Sequence, residues 1–263
     1  MNVGLTKMTN MRTCICCIAK NEDLYIDEWI NYHKKLGFDH FFIYQNNWRY
    51  EGAKKNCEYV TWLEMDGECK QKYAYVDFIA NKSNNVDFCA FIDVDEFFCF
   101  KDGTTNIKDC LVKFNDDYAV GVNWRFFGDN GLQTFDNLDT SVLNRFTRCQ
   151  NVQNQHIKTI LNIRKIRQTP NIGVFYSDPH SFKIGDSYRT KTSDGKHIIN
   201  GPFNTNFDEN VQIKHYFCKT RPEFVYKIER GRADLDQKYD MSIFDGHNHN
   251  DVEDMTARDF MYG

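Results

Sequence analysis

Residues 87–98 read Asp-Phe-Cys-Ala-Phe-Ile-Asp-Val-Asp-Glu-Phe-Phe. An apolar run over residues 88–92 stops at three carboxylates, Asp93, Asp95 and Glu96, and a second apolar run follows at once. A short run bounded in this way predicts a buried strand. In open α/β sheets, ligands collect beyond the carboxyl ends of such strands. Asp93 and Asp95 are two residues apart and would point to opposite faces of an ideal strand. They can meet one ion only if the chain leaves the sheet there. Hard oxygen donors of this kind suit Mg²⁺ or Mn²⁺, and a diphosphate can fill the remaining coordination positions. A bare Asp-x-Asp is commonly a solvated strand end. Here Phe91, Ile92, Phe97 and Phe98 would hold the acids at the edge of a core, where uncompensated charge costs several kcal/mol. A bound cation is the compensation the pattern predicts.

Working back toward the start, residues 12–19 (RTCICCIA) have the length and character of a strand, broken by Lys20-Asn21-Glu22-Asp23. Residues 24–36 approximate helical spacing, with Gly37 as the stop. Residues 38–44 (FDHFFIY) predict a second strand ending in the polar turn Gln45-Asn46-Asn47, residues 57–62 a third strand, and residues 71–81 a helix. Strand and helix therefore alternate through the first hundred residues, as a mainly parallel sheet with crossover helices requires. Neither G-x-G-x-x-G nor G-x-x-x-x-G-K-[ST] occurs, so the dinucleotide and P-loop fingerprints are absent.

Downstream the pattern loosens. Residues 107–114 predict a helix, and residues 119–127 (AVGVNWRFF) a strand leading into Gly128-Asp129-Asn130-Gly131. Two glycines in that loop allow close backbone approach to a ligand, or an ordinary tight corner. Asp129 is the carboxylate the loop would aim at the site as an acceptor-side base, with Trp124 and Phe127 as an apolar wall; a turn aspartate bonded to its own backbone is the alternative. Residues 157–167 (IKTILNIRKIR) alternate apolar and basic positions and predict a strand or edge pair. Lys158, Arg164, Lys165 and Arg167 would then form a solvated basic edge or face phosphates. His180 follows a proline in a loop, and His215 lies in the strand pattern of residues 211–218. Residues 221–232 predict a helix opened by Pro222 and stopped by Gly231. The tail from Asp245 is polar and acidic and predicts partial disorder, with His247 and His249 on the surface.

The 263 residues are 41% hydrophobic and 15% aromatic, enough for one large domain or for one domain with an appendage. The formal net charge of -4 argues against a nucleic-acid partner. No stretch approaches about 18 uncharged apolar residues, so no membrane span is expected, and residues 1–11 lack an apolar signal-peptide core. Most of the ten cysteines lie inside apolar runs, where a free thiol packs as a small hydrophobe. Cys14-x-x-Cys17 has no second pair to complete a zinc site and falls within a strand pattern, so unpaired thiols and a cytoplasmic location are expected.

Four segments together resemble the GT-A glycosyltransferases, in particular the family-92 and family-2-like group. They are CIAKNEDLYIDEWINYHKKLGFDHFFIYQNN (17–47), FIDVDEFF (91–98), NWRFFGDNG (123–131) and IKHYFCKTRPEFVYKIERG (213–231). The resemblance implies a GT-A, Rossmann-like α/β fold with a mixed, mainly parallel sheet flanked by helices. Residues 1–11 would be a flexible lead-in, 12–220 the catalytic domain and 221–263 a helical extension with a polar tail. It further implies metal-dependent transfer of a hexose from a nucleotide sugar, UDP-sugar favoured, to a glycan hydroxyl, with Mn²⁺ or Mg²⁺ on Asp93 and Asp95. His180 is the expected third ligand and His215 the alternative. Lys20, Asn21 and Glu22 would cup the nucleoside, with Gln45 and Asn46 beside them. Inversion is slightly favoured over retention. A catalytically inactive sugar-nucleotide-binding module and a metal-dependent phosphohydrolase are the rival readings, although a phosphohydrolase usually needs a larger His and Asp constellation.

Overall fold

The computed structural model describes residues 11–135 and 139–263. Most of the expected lead-in, residues 1–10, lies outside the described residues, but Met11 is buried in the core rather than part of a flexible segment.

Strand β1 (Thr13–Ala19) is flanked on one side by β2 (His40–Gln45) and β3 (Val60–Glu64) and on the other by β4 (Phe88–Phe91), all parallel. Every residue of β1 is buried. Cys14, Cys16 and Ile18 face one hydrophobic layer, and Ile15, Cys17 and Ala19 face the other. A two-residue side-chain period with helices on both faces demands this continuous apolar composition. It also places Cys14 and Cys17 on opposite faces, and all ten cysteines are unpaired. The third strand begins a little later than expected, because Cys57 sits in a turn closed by its N–H to the Lys54 carbonyl at 3.2 Å.

Helix α1 (Ile26–Lys35) buries Ile26, Trp29, Ile30, Tyr32 and His33. Three of these side chains serve the backbone of β5 (Glu96–Phe100): Trp29 Nε1 donates to the Glu96 carbonyl at 2.8 Å, Tyr32 Oη to the Phe98 carbonyl at 2.6 Å, and His33 Nε2 accepts from the Phe98 N–H at 3.3 Å. The free edge of β5 is thus satisfied by a helix rather than left open for pairing. Helix α2 (Gln71–Asp77) lies on the opposite face of the sheet, and α3 (Ile107–Leu111) precedes β6 (Ala119–Phe126).

The run at 157–167 departs from the sequence reading. It is not a basic edge. Strand β8 (Asn154–Asn162) lies inside the sheet, antiparallel between β4 and β6. The chain then turns into a short helix, α5 (Ile163–Gln168), whose first turn is capped by Asn162 accepting from the Lys165 N–H at 2.9 Å. The alternation of isoleucine with basic residues was half strand and half helix. Lys158 is wholly buried, whereas Arg167 donates to the Ser83 and Val86 carbonyls.

Ten strands form the main sheet, running β12 (His197–Ile198), β11 (Thr190–Thr192), β6, β8, β4, β1, β2, β3, with β13 (Val211–His215) parallel to the end of β6 and antiparallel to β5. This is the mixed, mainly parallel α/β architecture expected. Two short ladders stand apart: β9 (Val174–Asp178) with β10 (Ser181–Ile184), and β7 (Arg148–Cys149) with β14 (Val252–Glu253). The last part of the chain forms α6 (Arg221–Arg230), α7 (Met241–His247) and α8 (Thr256–Tyr262).

The expectation of a partly disordered tail fails for a definite reason. Asp254 is drawn inward by three cations: Lys214 at 2.6 Å, Lys101 at 3.4 Å and Arg125 at 3.7 Å. Ala257 is fully buried beside it in sequence. Among the described residues, no helix is long and apolar enough to cross a membrane.

Candidate functional site

The carboxyl ends of β1, β4, β6 and β13 open on one edge of the sheet, and β8, running the other way, begins there. A cavity of about 350 Å³ lies at that edge, large enough for a small ligand. It is lined by Lys20 and Glu22 after β1, by Asp93 and Asp95 after β4, and by Trp124 and Phe126 of β6. Alternate residues at the start of β8 (Asn154, His156, Lys158) and His215 of β13 also reach it. A second hollow lies at the opposite edge, where Thr13, His40 and Val86 begin or precede their strands. It adjoins Met11, where the chain enters from residues outside the description.

The acid triplet leaves the sheet as the geometry required. The Glu96 N–H donates to the Asp93 carbonyl at 3.1 Å, closing a turn, and the Tyr216 N–H donates to the Asp95 carbonyl at 2.8 Å. The side chain of Glu96 turns back to accept from the Asp93 N–H at 2.9 Å. Each acid has a cation. Asp93, a third of whose side chain is exposed, meets Lys158 Nζ at 2.7 Å and Gln71 Nε2 at 3.0 Å. Asp95, almost fully buried, meets Lys227 Nζ at 2.8 Å and His215 Nε2 at 3.5 Å. Burial alone would push the Asp95 carboxyl up, but Lys227 and His215 outweigh it and hold it well below the usual range. Glu96 goes the other way: burial lifts its carboxyl well above normal, with Lys158 at 3.4 Å only partly opposing. Burial would lower Lys158, but Asp93 and Glu96 raise it, so the ammonium is retained in the interior.

The C-terminal extension is part of the site rather than an appendage. Thr220 and Glu223 form a capping box at the start of α6, and Gly231, at φ 73°, ends the helix where an L side chain would be strained. Glu223, Lys227 and Arg230 follow at helical spacing and share one face. Glu223 is gripped by Arg145 at 2.8 Å and accepts from Tyr25 Oη at 2.7 Å. Lys227 reaches Asp95 and lies over the Phe217 ring at 3.8 Å. Arg230 pairs with Glu22 and donates to the Lys20 carbonyl. Arg232 and Asp234 form a further pair at the rim at 2.5 Å. The i, i+4, i+7 spacing of 223, 227 and 230 was the signal in the sequence that could have marked this face.

The remaining wall is aromatic and imidazole. Trp124 sits in its centre, with the rings of His215, His180 and His156 at 4.3, 4.7 and 5.2 Å. His247, expected on the surface, instead packs on Phe126 at 4.7 Å and Phe217 at 5.2 Å. Burial pulls His215 down to about 4 despite Asp95 beside it.

Several expected site residues lie elsewhere. His180 is in the cavity but does not join the two aspartates; the imidazole beside Asp95 is His215. Among the described residues, no three His, Cys, Asp or Glu side chains converge closely enough to cage an ion by themselves. Lys20 and Glu22 line the cavity, whereas Asn21 does not: it takes a positive φ of 52°, and its carbonyl accepts from Arg230 at 3.3 Å. Gln45 accepts from the Tyr50 N–H at 2.7 Å, and Asn46 donates to the Met65 and Gly67 carbonyls at 2.8 and 2.7 Å. Both therefore fasten the loops after β2 and β3 and are outside the cavity lining. Asp129 is likewise outside it. Its Oδ1 accepts from the Gly131 N–H at 2.8 Å and from Asn250 Nδ2 at 3.1 Å, the geometry of a turn aspartate rather than a base. Gly128 makes room for the tail rather than for a ligand, since a Cβ there would lie 2.5 Å from the His249 carbonyl oxygen.

Residues 9–221 match the family model described as Glycosyltransferase family 92. A glycosyltransferase family 92 protein of Ricinus communis is 27% identical over 133 residues, covering 46% of this chain and 23% of the relative. One of Oryza sativa subsp. japonica is 26% identical over 117 residues, covering 41% and 19%. The chain thus matches less than a quarter of the length of these curated relatives. Among solved structures, the apo form of the bifunctional glycosyltransferase WbbM aligns with a TM-score of 0.33 and 12% identity over 60% of this chain and 32% of that one. With the family model spanning all the elements that build the cavity up to the start of α6, the chain belongs to glycosyltransferase family 92.

Proposed function

We propose that this chain transfers a hexose from a nucleoside-diphosphate sugar, with UDP the favoured nucleotide, to a glycan hydroxyl. The observation that carries the reading is the convergence of an acid turn and a cationic helix face on one cavity: Asp93 and Asp95 from β4, Lys227 and Arg230 from α6. A sugar donor of this class presents a polyanion joined to a neutral polyol. The cationic face suits the first, and the wall around Trp124 offers flat apolar surface to the second.

Mg²⁺ or Mn²⁺ fits the donor chemistry, since Asp93 and Asp95 both line the cavity and the His215 imidazole stands 3.5 Å from Asp95, with its buried Nδ1 lacking a partner. Asp93 and Asp95 would hold such an ion, and the donor's phosphate oxygens would complete its shell; bound there, it supplies Lewis-acid stabilisation of the departing diphosphate. The chain's own residues do the rest. Lys227 and Arg230 balance phosphate charge that grows as the glycosidic bond breaks. Glu96 and Lys158 keep the acid turn in place from below. Glu22 holds Arg230 against the loop after β1. The transition state is oxocarbenium-like, and inversion, the slightly favoured outcome, requires a base opposite the leaving group.

Titration calorimetry with UDP, with and without MnCl₂, together with UDP release from a panel of UDP-hexoses, tests this reading. Saturable UDP binding and donor-dependent UDP release are expected. A folded protein that binds no nucleotide and releases none would overturn it.

A further inference from the structure

With Asp129 turned away, the cavity needs another proton acceptor, and its carboxylates are poor candidates. Glu22 is paired with Arg230, Asp93 with Lys158, Asp95 with Lys227 and Asp234 with Arg232. A carboxylate held by a cation already has its acceptor oxygens engaged. The imidazoles differ. His180 Nδ1 lies 3.0 Å from the Ile157 carbonyl oxygen, which can only accept, so Nδ1 carries the proton and Nε2 the lone pair. The backbone of His180 is fixed as well: its main-chain N–H donates to Asp178 Oδ1 at 2.8 Å, and its carbonyl accepts from Thr159 Oγ1 at 2.7 Å. The His180 ring stands edge-on to Trp124, whose ring also packs against His215.

We propose that His180 is the base for the sugar transfer, taking the acceptor's hydroxyl proton on Nε2. The inference rests on the transferase reading above. In the step, the acceptor oxygen bonds to the anomeric carbon as its O–H proton passes to Nε2. The bond from that carbon to the diphosphate oxygen breaks, and its electron pair leaves with the nucleoside diphosphate. The charged and titratable groups facing His180 are Lys158 and His156 on β8, His215 on β13, Tyr176 and Asp178 on β9 and its turn. Burial, Lys158 and His156 keep the ring neutral, below its ordinary range, so it is ready to accept. A donor's phosphate charge placed near Lys158 would offset those cations and raise its basicity toward working pH.

The test compares H180N with H197N, an exposed imidazole of β12 outside the cavity lining, in the full chain. In H180N, an amide nitrogen stands near the Nδ1 position and can still donate to Ile157, while Nε2 is gone. H180Q serves if circular dichroism shows H180N unfolded. UDP affinity by calorimetry and UDP release from UDP-glucose, UDP-galactose and UDP-N-acetylglucosamine are measured between about pH 5 and 9, with oligosaccharide acceptors and added imidazole. The expected result is UDP affinity within about twofold of wild type, release slowed ~10²-fold or more, loss of the acidic limb of the pH profile, and partial rescue by imidazole. Near-normal release in folded H180N, an unchanged acidic limb, or an equal loss in H197N would overturn the assignment. Failure of wild type itself to bind UDP or release it would instead remove the transferase reading on which the assignment stands.

Discussion

The loops after β4 and β6 invite comparison. Both follow parallel strands, both open on the same edge of the sheet, and both present a buried aspartate. Asp95 faces Lys227 and His215 inside the cavity. Asp129 faces a glycine N–H and the Asn250 amide outside it. Strand position brings a carboxylate to the edge; what determines its role is the partner waiting there. Charged partners from α6 leave Asp95 ionised and poised beside a ligand space, whereas neutral amides from the tail leave Asp129 with the work of shaping a turn.

The comparison is broken most directly at Asp95. Asp95→Asn should lower UDP binding and donor turnover by ~10²-fold or more, because an amide cannot balance the ammonium and imidazole that converge on it. Calorimetry and UDP release on a variant with a native circular dichroism spectrum check this, and an effect under tenfold would make the two loops equivalent after all.

Glu223 sharpens it from the side of stability. It shares a helix face with Lys227, but its partners are Arg145, Thr220 and Tyr25 rather than the acids. Burial would raise its carboxyl, yet the bond from Arg145 and its other partners bring it down to about 2 from a usual 4.5. A depressed carboxyl contributes stability that is fully present above the usual value and is lost as pH falls toward the folded one. The window is therefore between about 4.5 and 2. Glu223→Gln should cost about 2 kcal/mol at neutral pH and flatten acid unfolding in that window. Denaturant melts at several pH values read both.

Lys227→Met removes the cation but keeps the bulk over Phe217. UDP affinity should fall about tenfold, in line with the loss of one charge-assisted contact. The fold should survive, since Asp95 keeps His215 beside it. The smallest change belongs to Asp129→Asn. Its turn bonds are of a kind an amide oxygen can accept, so turnover should remain within about twofold and stability within about 1 kcal/mol. A large catalytic loss there would restore the loop after β6 to the active centre.

Much of this was readable in the sequence, and the failures share a cause. The buried strand ending at Asp93 was legible because its apolar run and its sudden carboxylates are local features. So were β1, α1 and β2, whose periodicities lie within single segments. Lys158 was misplaced because alternation marks a strand without saying which strands lie on either side of it, and an interior position turns a solvated lysine into a buried counter-ion. Lys227 and Arg230 were not singled out, since nothing local says that this face of a late helix meets Asp95 and the loop after β1, which lie far earlier in the chain. His180 was put into the cavity but expected beside the aspartates, where His215 stands instead, because spacing cannot tell which imidazole lies next to Asp95. Sequence patterns resolve elements; the chemistry of this site is made by pairings between them.

The burial of Asp254 has a consequence for how the chain is made. Arg125 and Lys214 enter the interior from β6 and β13, Lys101 reaches in from the surface beside β5, and the carboxylate that meets all three is near the far end of the described chain. A polypeptide emerges from the ribosome in order, at about 5–20 residues per second. During that interval the nascent sheet carries three cations without this counter-charge, so complete closure of this region must wait until synthesis has passed residue 254. The growing chain is therefore held partly open until its closing stretch arrives.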